Sequence, residues 1–133
     1  MRRIQLLNAE FHIFAAMNVD IKTRDDITKL ITRFYEKVRV DEQLAPHFVG
    51  IDWDHHTPII IDFWAMLLLG DSNYKGNPLA KHLRLSLKVD DFKQWLFHFH
   101  NTVDEFYSGD IANEAKQRAQ NIAAMFQYKL GIQ

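Results

Sequence analysis

Apolar side chains recur three and four residues apart along three stretches of this chain. The first carries Ile27, Leu30, Ile31, Phe34 and Val38, and the second Ile60, Phe63 and Leu67. The third carries Phe92, Trp95, Leu96, Phe99, Val103 and Phe106. That spacing aligns side chains on one face of an α-helix, so each stretch predicts an amphipathic helix with a face to bury. A fourth helix is expected after Asp110, with Ala115, Ala119, Ile122 and Phe126 on one side and Gly131 just past its end. Its alanines allow a neighbouring helix to approach closely. Five glycines and three prolines in 133 residues leave little material for the tight turns of a β-rich domain. The expectation is a single all-α domain.

Local signals bound these helices. Thr23 and Asp26 stand three apart and form a capping box that opens the first helix. Pro46 interrupts the pattern, so Leu44 to Ile51 reads as a loop with short helical pieces. The second helix should begin near Asp54 and end at Gly70, with Pro58 tolerated in a first turn whose amides have no helical partner. On it His56, Ile60, Phe63 and Leu67 share a face that Ile59, Trp64 and Leu68 widen, while His55 faces elsewhere. Asp71 to Asn77 is a polar turn, and Leu83 to Val89 an irregular packed connection. Asp90 or Asp91 caps the third helix, which closes at Ser108-Gly109.

Sixteen basic and seventeen acidic residues leave a net charge of −1. No basic run exists to track a phosphate backbone, so nucleic-acid binding is not expected. With no cysteine there can be no disulfide, thiolate site or thioether-linked cofactor. No stretch is long and apolar enough to span a membrane, and Asn8, Glu10 and His12 break the run that a signal peptide would need after Met1-Arg2-Arg3. A cytoplasmic protein is expected. Met1 to Ala16 is expected to be an extension, mobile or a start-site artefact, before a domain spanning 17–133.

Four residues combine a ring with a polar tip in an apolar setting: Tyr35, His56, His82 and Trp95. His82 lies in Asn77-Pro78-Leu79-Ala80-Lys81-His82-Leu83 and could hold a metal or haem iron, since a neutral imidazole offers one nitrogen lone pair. Read alone, an isolated histidine beside leucines is more often an ordinary packed or surface side chain. Tyr35 shares the edge of the first helix's apolar face, and Trp95 lies within that of the third; both also fit a core role. Paired carboxylates and Glu-x-x-His spacing are missing, which disfavours glycosidase or di-iron chemistry. Asp52 and His55 form one weak metal-binding pair with no third partner, and His98 and His100 are expected to be solvated.

The joint pattern is more specific. Phe34-Tyr35-Glu36-Lys37-Val38, Trp53-Asp54-His55-His56, Phe63-Trp64, Tyr74-Lys75-Gly76-Asn77-Pro78-Leu79-Ala80-Lys81-His82-Leu83 and Phe92-Lys93-Gln94-Trp95-Leu96 resemble, in order and spacing, the third group of truncated haemoglobins. The resemblance covers about Asp20 to Tyr128. It implies a shortened globin, two helices over two, around a non-covalent haem b, with His82 as the iron's proximal ligand. It places Tyr35, His56 and Trp95 on the distal side, and Phe34, Phe63 and Leu67 against the haem. Reversible binding of dioxygen and other diatomic gases is what such a protein implies, with nitric oxide dioxygenation or peroxide chemistry as alternatives. A reductase partner and a monomer or weak oligomer go with that expectation. Ser86 to Asp91 departs from the family's wording, and His56 could gate, donate or bind iron. The competing expectation is a non-haem helical interaction module in which all four rings are core.

Overall fold

The computed structural model describes residues 18–76 and 86–132. Four α-helices appear among them: α1 (Arg24–Val40), α2 (Trp53–Leu69), α3 (Val89–Phe106) and α4 (Asp110–Leu130). A short 3-10 helix, Ala45–Phe48, joins α1 to α2 with Pro46 in its first turn. Among the described residues, strand pairing is confined to one isolated parallel bridge between Val19 and Tyr107. The expected extension, and His82 with its whole Asn77-to-Leu83 segment, lie outside the described residues.

Helix α1 is the hub, packing on both α2 and α3, while α3 packs along α4. Its opening follows the capping box: Thr23 Oγ1 accepts from the Asp26 N–H at 3.2 Å, and Asp26 Oδ2 accepts from the Thr23 N–H at 3.0 Å. Its apolar stripe, Ile27, Leu30, Ile31, Phe34 and Val38, is fully buried. At about 1.5–3 kcal/mol for each large side chain removed from water, this stripe is the main force holding α1 in the centre. Against it lies an aromatic stack. Phe99 stacks on Trp64 at 4.8 Å and on Trp95 at 5.8 Å, and Phe34 meets Phe99 edge-on at 5.3 Å.

Helix α2 starts near Asp54 as expected, but the place of Pro58 and the start of α3 differ from expectation. Helix α2 begins at Trp53 because Asp52 Oδ1 accepts the His55 N–H at 3.4 Å, so the Asp52–His55 spacing serves a cap. Pro58 then falls beyond the first turn, where its missing N–H removes one ladder bond. Helix α3 begins at Val89. Asp91 contributes from its third position, accepting the Lys88 N–H at 2.9 Å.

Helix α4 is capped from a distance. Gly109 precedes it with φ +136° and no side chain, and the carboxylate of Asp20 fills the position instead. Asp20 accepts from the N–H groups of Ile111 at 2.9 Å and Ala112 at 2.8 Å. A Cβ on residue 109 would come within 2.6 Å of that carboxylate, so glycine is required both by φ and by space. Ala112, Ala115, Ala119 and Ala123 are buried, and close packing of α4 follows from them as expected. Gly131 ends the helix in the left-handed conformation.

Candidate functional site

Helix α2 divides its apolar residues between two faces. Ile61, Trp64, Ala65 and Leu68 are buried in the core. The stripe expected to be buried, His56, Ile60, Phe63 and Leu67, is only half-buried. For all of these but Leu67 the physical reason is a cavity: His56, Ile60 and Phe63, with Ile59, line a partly enclosed apolar space whose other walls include Phe92 and Trp95 from α3 and Ile122 and Phe126 from α4. Leu44, Phe48 and Leu87 complete much of the apolar lining.

Polar groups also line this space. Tyr35 from α1, His56 from α2 and Trp95 from α3 all line it. Burial pushes the Tyr35 phenol up to about 12, against the smaller opposing effect of a hydrogen bond from the Trp95 side chain. An indole can only donate, so the Trp95 N–H points at the phenol oxygen, and the phenol keeps its own proton for another acceptor. The Tyr35 ring is fixed edge-on by Phe34 at 4.7 Å and Phe48 at 6.1 Å. Trp95 is likewise held by Phe34, at 5.6 Å, and by Phe99. Two polar tips thus project from a rigid aromatic scaffold.

A second polar cluster lies where the 3-10 segment meets α3. Asp41 Oδ2 sits 2.7 Å from His98 Nε2 and 2.7 Å from Gln94 Nε2, and its Oδ1 accepts the N–H groups of Gln43 and Leu44. Gln43 Nε2 donates to Asp91 Oδ1 at 3.0 Å, and His47 Nε2 lies 3.3 Å from Asp91 Oδ2. Burial raises the Asp41 carboxyl, but the bonds from His98, Gln94, Leu44 and Gln43 outweigh it and hold it at about 2. This corrects the expectation that His98 is solvated: its side chain is 16% exposed and paired with Asp41. His100 is corrected too, since its Nε2 is buried without a hydrogen-bond partner among the described residues. They flank α3's apolar stripe on opposite edges, and what the sequence hides for His98 is that Asp41 covers its side.

Of the residues singled out from sequence, the cavity brings together Tyr35, His56, Trp95 and Phe63. Phe34 lies fully buried behind Tyr35 and Trp95, and Leu67 packs against the core cluster; neither lines the cavity. His82 lies outside the described residues. Sequence reasoning missed Phe48, Lys75 and Asp91 in the lining, because they come from connecting segments and a helix's first turn, where periodicity carries no signal. The walls suit a porphyrin: aromatic and branched aliphatic side chains for its faces, Lys75 as a cation for its carboxylates, and ring-bearing polar side chains that include Tyr35, His56 and Trp95.

A helical hub, a shortened set of helices and an apolar cavity between them define a globin-like protein. The family model described as bacterial-like globin matches residues 19–128. Group 3 truncated hemoglobin ctb from Campylobacter jejuni is 39% identical, the match covering 86% of this chain and 98% of that protein. The crystal structure of the group III truncated hemoglobin from Campylobacter jejuni superposes with a TM-score of 0.78 at 39% identity, covering 86% of this chain and 95% of that one. A truncated hemoglobin from Tetrahymena pyriformis, crystallised as a mutant in the Fe(III) form, matches with a TM-score of 0.66 at 26% identity over 81% of this chain and 90% of that one. The chain belongs to the bacterial-like globin family, as a group 3 truncated haemoglobin. Haem-based ligand binding follows from that membership.

Proposed function

We propose that this protein binds dioxygen and related diatomic gases reversibly at a non-covalently held haem b, with His82 as the iron's protein ligand. The carrying observation is that Tyr35, His56 and Trp95, from three different helices, converge on one apolar cavity. Absence of cysteine supports a haem without thioether links. When bound, haem would supply an iron that takes diatomic gases. The chain's own residues then decide which gas is held. Tyr35 remains a phenol across the neutral range and offers its O–H to an acceptor in the cavity, while the Trp95 N–H bonded to its oxygen orients it and strengthens the donor. A gas that gains negative charge on binding is held by such donors, and carbon monoxide, with little charge, is not. His56 shares the wall and adjusts access or competes for the iron.

The same donors could serve nitric oxide dioxygenation or peroxide reduction, because stabilising charge on one oxygen also assists cleavage of an O–O bond. Turnover in either reaction consumes electrons, so a reductase belongs to that extension. The test is an absorption spectrum of the purified chain after haem addition, reduction and exposure to carbon monoxide. A strong Soret band that shifts with the gas is expected, with retention of haem lost or loosened in His82→Ala and kept in His55→Ala. A chain that takes up no haem would be a non-haem helical module instead.

A further inference from the structure

Trp53 is the first residue of α2 and does not line the cavity, yet it touches three residues that do. Its ring stacks on Phe48 at 5.8 Å and 28°, meets Tyr35 at 5.2 Å and 46°, and meets His56 edge-on at 5.9 Å. The guanidinium of Arg39 lies over the same ring, 4.9 Å from its centroid. Arg39 is exposed and one turn beyond Tyr35 on α1, while Trp53 is half-buried. One indole therefore joins α1, the 3-10 helix and α2 behind the polar part of the cavity.

We infer that Trp53 is a positioning residue that holds Tyr35 and His56 at the gas site, and that Arg39 latches it from the solvent side. A planar cation on the outer face of an indole favours the closed arrangement by electrostatic attraction to the ring. While the latch holds, the phenol and the imidazole have fixed spacing and solvent is kept from them. Gas entry past His56 is coupled to movement of the indole, since the two rings are in contact. This inference rests on the gas-binding reading above, and its failure is separable from the failure of that reading.

The experiment uses the full haem-loaded chain and its Trp53→Leu, Trp53→Phe and Arg39→Met variants. Oxygen dissociation, carbon monoxide association after photolysis, and the C–O stretching band of the carbon monoxide complex are measured. Trp53→Leu should raise both rates at least about fivefold and shift the stretching band, a signature of changed polarity that a purely structural role would not produce. Trp53→Phe, which keeps an aromatic brace, should stay within about twofold of the parent. Arg39→Met should speed carbon monoxide association about twofold to fivefold, the range expected for losing an exposed cation–π contact. Rates in Trp53→Leu within about twofold of the parent would overturn the inference, as would equal impairment by Phe and Leu. If Trp53→Leu fails to hold haem, an Arg39→Met variant with parental association would overturn it alone. A parent chain that takes up no haem defeats the gas-binding reading itself.

Discussion

Two polar clusters share the same helices and differ in how fully their hydrogen bonds are used. At Asp41 both carboxylate oxygens are occupied, by His98 and Gln94 on one and two backbone N–H groups on the other. At Tyr35 the phenol oxygen takes one bond, from the Trp95 indole, and the residue lines the cavity with its own proton still able to donate. A saturated cluster holds elements together and has nothing to offer a ligand. A cluster with a donor to spare, in a partly enclosed apolar space, can bind one. Histidine pairs attract attention in a sequence of this kind, yet the Asp41–His98 pair is a strut, and the lone tyrosine is the residue proposed as the instrument.

Breaking the strut should give the largest effect. Asp41→Ala leaves an imidazole, an amide and two N–H groups without their acceptor, and should cost about 3 kcal/mol by urea denaturation of the haem-free or haem-bound chain. Tyr35→Phe, by contrast, should change stability by less than about 1 kcal/mol, since it removes a buried hydroxyl with a single partner. Equal losses in the two variants would erase the distinction between strut and instrument.

Acid sharpens the same contrast. The Asp41 carboxyl sits at about 2 in the fold against 3.8 ordinarily, so its contribution is complete above about pH 4 and disappears as pH falls through 2. That shift corresponds to about 2 kcal/mol. Asp20, Asp26, Asp91 and Glu105 are shifted down as well and add to the parent's acid sensitivity. Stability of Asp41→Ala measured from about pH 5 to pH 2 should therefore fall less steeply than the parent's. Tyr35 acts in the opposite range: its phenol is raised to about 12, so its contribution is present below about pH 10 and is lost as pH rises through 12. A smaller effect is expected at Asp20. Asp20→Ala removes the carboxylate that caps α4 and should cost about 1–2 kcal/mol, read as a lower urea midpoint with gas binding unchanged.

Legibility from sequence followed the reach of the interaction. The capping box at Thr23, the left-handed glycines ending α2 and α4, and the buried stripe of α1 are local, so spacing alone reveals them. The convergence of Tyr35, His56 and Trp95 was legible through family resemblance, because no local rule relates residues on three helices. Asp20 capping a helix at the far end of the chain, and Asp41 pairing with His98, were not legible at all. Both are polar contacts between distant segments, where neither apolar period nor turn chemistry leaves a mark. Helix α2 was misjudged for a related reason. Period identifies an apolar face, but a face turned toward a cofactor cavity reads the same as one turned toward the core.

The most direct test compares oxygen and carbon monoxide dissociation from the haem-loaded parent and Tyr35→Phe. Loss of one donor to a partly charged acceptor removes about 1–3 kcal/mol, which is about tenfold to a hundredfold in rate. Oxygen should leave that much faster from the variant, with carbon monoxide dissociation changed far less. Equal acceleration of both gases, or of neither, would contradict the assignment of Tyr35 as the donor that the cavity is built around.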